Sequence, residues 1–592
     1  MILMAEAVYK DPEVARIMER FHRAKKKRQQ ERDAKWKELD AYDRNQQWDL
    51  KGVPDWLPKP VTNYIHIVKY TKRASLAVDN PTAKLRATHP NYADLVRDLQ
   101  KAYIYIWDKI KARAVVRDAI GTAKLLGDAF VQVFWNEHKE GRMGVTVLGG
   151  RENYHEGEID IRELDPALVY PDPTAFNIPD CQFIHIVERK PLEWVKNHPH
   201  FKEKASGLKA IENDAPEERG EIYLRDYNVE NDGIIDFHTH YEKKPNDEGG
   251  FTYSVTYLAG NKILHHIPQL KPNRYPIARL SDFKQRQSFW SMSTCEFILD
   301  NQRIINKVES IIVMIGTLMQ NPQKVVSKNS GISIDEVSQF GNLQGVVWQS
   351  NDPDPSKSIV HLNPPQIPTV LFNLLEQAKE NIREITGITQ AYLGQNVGSL
   401  QTSSGVNQLI ERATLRDRDQ MYDLEMFITD LTEIIIDFML EYYTEERWLR
   451  IGEGDSEEDF LRFVARDFKD IDYDIQIDVS AKAPITRMRE ADEARQLLEM
   501  QGQYGGQFPT SIITPQEAIR KMHITNAEEI IERMNMEEMV NKTEQAMQVA
   551  QMMNEALNAG VEPDEVMQMG MAMFEQMEAE MKGVGSRAPI SE

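Results

Sequence analysis

The sequence predicts an α+β protein that is mainly α-helical. Long apolar series with a 3.6-residue period run over 292–320, 369–386 and 405–447. Between 129 and 259, short β-branched and aromatic runs alternate with Gly, Pro and Asn punctuation. The composition supports a packed body: 41% of the 592 residues are hydrophobic and 28% charged, outside the disordered range.

Taken in order, the first element is a helix over 11–46. Asp11-Pro12-Glu13 supplies an N-cap acid, a first-turn proline and a first-turn acid. Val14, Ile17, Met18 and Phe21 form its apolar face, and Lys25, Lys26, Lys27 and Arg28 a basic block. That block is either a solvated face or a contact to an acidic neighbour or nucleic acid. Pro54, Pro58 and Pro60 break the chain. Helices follow over 63–77 and 92–107, the second running on through 113–126 until Gly127 ends it. Strands are expected at 129–135, 157–164, 182–188, 221–227, 234–241 and 252–259.

The stretch 291–450 differs. Phe297, Ile304, Val308, Ile311, Ile315 and Leu318 mark a helix over 292–320, about 43 Å long at 1.5 Å per residue. Asn321-Pro322 stops it. Strands at 324–327, 346–350 and 359–362 follow, then a second helix over 369–386 with Leu371, Leu374, Leu375, Ala378 and Ile382 on one face. A polar, glycine-punctuated loop covers 388–404, and Ser403 or Ser404 caps a long helix over 405–447. A strand is expected at 472–479, and mostly helix from Glu490 onward. Residues 501–592 hold 13 of the 25 Met residues, with fifteen acids against six bases; Met at helical spacing fills helix–helix seams.

The formal net charge of −22 excludes a general basic coat for nucleic acid, because non-specific affinity comes from Lys and Arg displacing phosphate counterions. Cys181 and Cys295 are too few for a disulfide framework and are expected as free thiols in a reducing compartment. The N-terminus lacks the pattern of a signal peptide, and no apolar run reaches the twenty or so residues needed to cross a bilayer. No phosphate-binding Gly-x-x-x-x-Gly-Lys-Ser/Thr loop, His-Glu-x-x-His pair or Gly-x-Ser-x-Gly elbow occurs. His238-x-His240 has metal-ligand spacing on one strand face, but alone it reads as exposed or hydrogen-bonded histidines. The expectation is a protein that is not an enzyme and carries no metal or cofactor. A DNA-processing enzyme with unrecognised metal-binding acids, and a helical scaffold protein with no DNA role, are the alternatives.

Several local features, in order, resemble the portal (head-to-tail connector) proteins of tailed bacteriophages. They are Tyr42 to Trp48 followed by Lys59-Pro60-Val61-Thr62-Asn63, the helix–glycine–strand unit Gly121–Trp135, and the Asp-Pro strand ends at Asp165-Pro166 and Asp172-Pro173. Asn321-Pro322-Gln323-Lys324 with Lys328-Asn329-Ser330-Gly331 resembles the passage from stem to clip. Ile385-Thr386-Gly387-Ile388, the glycine-rich loop and Thr402-Ser403-Ser404-Gly405 form the most specific match.

The resemblance implies a wing at 1–290, stem helices at 291–320 and 367–387, and a small α/β clip at 321–366. It further implies a tunnel loop at 388–404, a long wing helix and returning strand at 405–482, and a helical crown at 483–592 with a frayed tail. Gln395, Asn396, Val397, Ser399, Leu400 and Gln401 would then face DNA in the tunnel. Arg303, Lys307, Lys379 and Arg383 would form inward charge rings, or pair with Glu309, Glu376 and Glu380. Glu376 with Lys379 and Glu380 with Arg383 stand at i, i+3 spacing, which favours pairing. Lys324, Lys328 and Trp348 are the clip residues that would meet terminase or adaptor proteins. Implied partners are further copies in a ring of about twelve, double-stranded DNA in the lumen, the terminase large subunit, head-completion, adaptor or tail proteins, and major capsid and scaffolding proteins, with no membrane. The implied location is the portal vertex of the virion, after assembly in the host cytoplasm.

Overall fold

The computed structural model describes residues 11–388 except 49–53, 55, 78–82, 138, 140, 146–150, 156, 211–232, 248 and 363–365. It also describes 417–477 except 445, 451–459 and 469–472, and, between 491 and 536, residues 491, 494–501, 513–522, 530, 531, 533, 534 and 536. Among the described residues the chain is mixed α and β. It divides into two units, Met1–Val479 and Ser480–Glu592.

In the first unit, α1 (Pro12–Arg28) starts at Asp11, whose carboxylate accepts the Glu13 N–H at 2.9 Å. The predicted single helix over 11–46 is instead three pieces: α1, a π-turn at Gln29–Asp33, and α2 (Ala34–Asp43). Arg28, Arg32 and Trp36 stand four apart, the spacing of one helix face, and all three are buried across the π-turn. This also decides the fate of the basic block: Arg28 is buried, bonded to the Ala167 and Val169 carbonyls and to Asp33, and its guanidinium lies 3.9 Å over the Tyr170 ring.

α3 (Tyr64–Leu76) is capped by Asn63, and β1 (Ala83–Ala87) follows. The expected continuous helix over 92–126 is broken into α4 (Ala93–Lys109) and α5 (Ala112–Leu126). Between them Lys111 adopts φ 54°, a left-handed residue that turns the chain so that both helices bury an apolar face. Gly127 ends α5 at φ 98°, where a Cβ would sit 2.3 Å from the Ser291 carbonyl oxygen.

The strands form antiparallel sheets. β2 (Asp128–Asn136), the ribbon β3 (Gly141–Val145) with β4 (Arg151–His155), and β5 (Glu158–Leu164) come first. Next are β6 (Val169–Pro171), β7 (Phe183–Pro191), and the short helices α6 (Leu192–Asn197) and α7 (Lys202–Ala205). β8 (Ile234–Pro245), β9 (Phe251–Ala259), β10 (Lys262–Ile267) and β11 (Ile277–Ser281) complete the set. One sheet has the order β11-β2-β5, and the other β10-β9-β8-β7-β6. The strand expected at 221–227 lies outside the described residues.

α8 (Thr294–Gln320) is capped by Ser293, whose hydroxyl accepts the Glu296 N–H. β12 (Lys324–Val326), α9 (Ile334–Phe340) and β13 (Ile359–His361) follow, β12 and β13 pairing antiparallel. Residues 346–350 are not the predicted strand: they carry no strand pairing, and the apolar run there stays largely exposed. α10 (Thr369–Thr386) matches its predicted bounds and ends on Gly387 at φ 72°. α11 (Asp417–Tyr442), β14 (Arg447–Arg450), β15 (Phe460–Phe463) and β16 (Tyr473–Ile477) close the unit. β16 pairs with β1, so the end of this unit is stitched to its beginning. The start of the long helix, 405–416, lies outside the described residues.

Two cores hold the unit together. One gathers α1, α2, the five-stranded sheet and the first half of α8 around Trp36, Tyr170, Ile184 and Ile298. The other packs α4, α5, the three-stranded sheet and α11 around Trp107, Tyr103, Phe427 and Ile435. In the second unit the described residues include α12 (Pro515–Lys521), and Ala494, Ile513 and Ala518 pack together. Cys181 and Cys295 are free and buried, and burial pushes the Cys181 thiol up to about 12. Among the described residues no helix is long and apolar enough to cross a membrane.

Candidate functional site at the stem and clip

The start of α8 rests on buried polar groups. Asp282, fully buried, accepts the Thr294 N–H and hydroxyl at 2.6 Å each, at the first turn of α8. Its other oxygen takes the Lys124 ammonium from α5 at 2.5 Å. One turn back, Asp128 is buried and accepts from Arg279 and from the Ser291 N–H at 2.8 Å each. The start of α8 is therefore pinned to α5 and to β2 by two charge networks.

Further along α8 the buried side is polar as well. Gln302 donates to the Thr62 carbonyl and to Asn306 at 2.8 Å each, and accepts the Tyr64 N–H at 2.9 Å. Asn306 donates to Gln47 at 2.6 Å, and Ser310 donates to the Pro58 carbonyl at 2.6 Å. The proline-rich segment from Gln47 to Tyr64 thus straps the helix to the body. Sequence reasoning missed this strap. Its signal was Gln302 and Asn306 at i, i+4 within an apolar stripe.

Past Ser310, Ile315 is the buried residue of α8. α10 returns beside it, and Ala378 and Ile382 are its buried contacts. Much of the hairpin's apolar surface is uncovered within one chain: Phe297, Ile304, Val313 and Met319 on α8, Val370 and Phe372 on α10 are exposed. Of the predicted stem charges, Arg303 binds Glu38 of α2 and, at 2.6 Å, Asp300. It does not use Glu309, which instead accepts from the Thr62 hydroxyl at 3.0 Å. Lys379 pairs with Glu376 at 3.0 Å and Arg383 with Glu380 at 2.8 Å. The Lys379 pKa is raised by its hydrogen bond to Glu376, and the same bond lowers that of Glu376. Lys307 is exposed and has no ion pair among the described residues.

The segment 321–366 buries little of its own: among its described residues only Ser330, Val337 and Ser358 are buried. Polar turns hold it: the Asn351 N–H donates to the Ser330 carbonyl at 2.9 Å, and Ser350 and Ser358 share a hydrogen bond. Apolar side chains point outward instead, with Ile334 74% and Val347 93% exposed. Lys324 bonds Asn342, Lys328 is exposed, and Trp348 is half-buried. Gln395, Asn396, Val397, Ser399, Leu400 and Gln401 lie outside the described residues.

The histidines are hydrogen-bonded, one of the two states expected for them, through a partner that the spacing did not name. His238 and His240 are joined by His185 of β7; His185 and His240 are buried and His238 is half-buried, and Phe21 of α1 packs on His185 and His238. His185 Nε2 lies 2.9 Å from His238 Nδ1, and His185 Nδ1 lies 3.2 Å from His240 Nδ1. The rings bond one another rather than converge, and among the described residues no group of three His, Cys, Asp or Glu is placed to hold a metal ion.

The chain is an α+β protein in which two long helices, α8 and α10, flank the β12–β13 ribbon. The chain belongs to the Phage P22-like portal protein family, whose model matches residues 18–583. That family is structural rather than catalytic, and the protein is a component of the phage virion. The match bears out the portal resemblance seen in the sequence. Comparison with curated proteins gives no match.

Proposed function

We propose that this chain is one subunit of a ring, of about twelve copies by family resemblance, set at one capsid vertex. The ring conducts double-stranded DNA inward during packaging and outward during ejection. The observation that carries this reading is the uncovered apolar surface of the stem hairpin and clip, which a monomer would leave in water. Neighbouring copies in a ring supply the missing cover. The residues 388–404 form the tunnel loop, and Gln395, Asn396, Val397, Ser399, Leu400 and Gln401 touch DNA there without ion pairing.

The acidic balance suits a conduit. A duplex carries about one charge per 1.7 Å of axis, and strong Lys or Arg contacts would hold it still. The stem pairs Glu376–Lys379 and Glu380–Arg383, with Arg303 bonded to Glu38 and Asp300, already neutralise three of the four stem cations. Lys307 is the stem cation left to face the lumen or a neighbour. The clip, with Lys324, Lys328 and Trp348, is the docking platform for the terminase large subunit and later for adaptor or tail proteins. The wing meets capsid and scaffolding proteins.

Negative-stain images of the purified protein test the reading. Rings of about a dozen subunits with a central channel are expected. A protein that stays monomeric at micromolar concentration would overturn it.

A further inference from the structure

The five-stranded sheet carries a small outgrowth with its own core. α6, α7 and the β10 edge enclose Val195, Phe201, Ala205, Leu208 and Leu264, separate from the two main cores. In a chain of net charge −22 the described part of this outgrowth is basic: residues 189–210 hold six Lys or Arg against two acids. Lys196, Lys202, Lys204 and Lys262 are exposed, and none of the four has an ion pair among the described residues. The core does not need them.

A line of rings runs among these charges. Lys190 Nζ lies 5.4 Å over Trp194, which is 42% exposed. Trp194 is 4.9 Å from His198, and His198 is 5.6 Å from His200. His200 stacks on His265 at 5.6 Å. Burial, with His200, Lys204 and His266 nearby, holds the His265 pKa down, a sign of cationic surroundings. Glu137 lies 3.4 Å from His200 and Glu188 3.4 Å from Lys190, and Glu193 and Glu203 are exposed.

We propose that this outgrowth is a docking surface for the phosphate backbone of duplex DNA. The four lysines meet phosphates, and the Trp194–His200 line packs against the sugars. Ammonium groups read phosphate as point charges, and amphipathic rings cover the backbone between them. An acidic peptide fits less well, since it would need an apolar socket to anchor its side chains, and the apolar residues here are consumed by the outgrowth's own core. The inference does not depend on the conduit reading.

The test uses the full chain as it assembles, with covalently closed circular plasmid, which has no end to thread through a channel. Retention of plasmid is measured from 50 to 300 mM NaCl. Wild type is expected to bind with a log–log salt slope of about −3.6, from about −0.9 for each of four phosphate contacts. The triple variant Lys196→Glu, Lys202→Glu, Lys204→Glu is expected to lose about tenfold or more in affinity at 100 mM salt. Its urea midpoint should be unchanged. Lys262→Glu alone, on the neighbouring strand, should lose several-fold and covers the case in which the triple variant misfolds. Equal plasmid affinity in wild type and folded variants would overturn the proposal, as would wild type that retains no plasmid at 50 mM salt. If rings fail to form but the lysine-dependent plasmid binding persists, the conduit reading falls and this one stands.

Discussion

Replacing Lys124 by Met removes the ammonium that sits 2.5 Å from Asp282 while leaving the carboxylate buried. The two side chains are 5% and 0% exposed, so no solvent charge screens the loss. Breaking one partner of a buried pair costs about 3–5 kcal/mol. The low end applies here, because Asp282 keeps two hydrogen bonds from Thr294. The unit Met1–Val479, unfolding cooperatively, has an unfolding entropy of about 1 kcal/mol per kelvin at about 2.1 cal/mol/K per residue. The variant should therefore lower its Tm by about 3 °C. Adding Asp282→Asn removes the stranded charge but keeps an oxygen for Thr294, so the double variant should recover more than half of the loss. Calorimetry of both variants and of wild type closes the cycle. A Tm drop below 1 °C in Lys124→Met, or a double variant less stable than the single one, would refute the view that this pair anchors the stem.

Acid should weaken the attachment of α1. The pKa values of His238 and His240 are lowered from 6.5 to about 4 and about 3 by burial, and that of His185 is lowered in the same direction. The unfolded chain binds these protons first, so stability is complete above about pH 6.5 and is lost as pH falls toward 4. A urea midpoint at pH 5 below that at pH 7, with the gap narrowed in His240→Gln, is expected; equal gaps would count against it. Deleting Gln395–Gln401 should leave rings intact and reduce DNA packaging or genome retention, and unchanged phage yield would sink the tunnel-loop assignment. Charge reversal of Lys379 separates two roles: lost ring assembly means that its pair with Glu376 serves the subunit interface, whereas normal rings with altered DNA passage mean that it faces the lumen.

The stem was legible in the sequence because local chemistry marks both its ends. Ser293 caps α8, Asn321-Pro322 stops it, and Gly387 closes α10 in the left-handed conformation that glycine tolerates. Apolar periodicity over more than four turns left no competing strand pattern. The break at Ile110–Lys111 was not legible, since both flanks are good helix and only packing against two cores requires the turn. The expected strand at 346–350 has β-branched residues but no partner within one chain. The clip's exposed apolar side chains were hidden in the sequence too, because a buried Val and an exposed Val look the same there. His185 could not be matched with His238 and His240, because their contact depends on the β7–β8 register.

Sequence by itself determined the helix caps, the long stem pair, the acidic balance and the order of parts that resembles a portal subunit. These depend on neighbours a few residues apart or on composition, and short-range physics suffices. Tertiary structure alone decided the β1–β16 pairing, the Lys124–Asp282 anchor, the π-turn at Gln29–Asp33 and the ring-lined outgrowth. Each joins groups distant in the chain or sets which side chains lose water, and burial is a property of the packed whole.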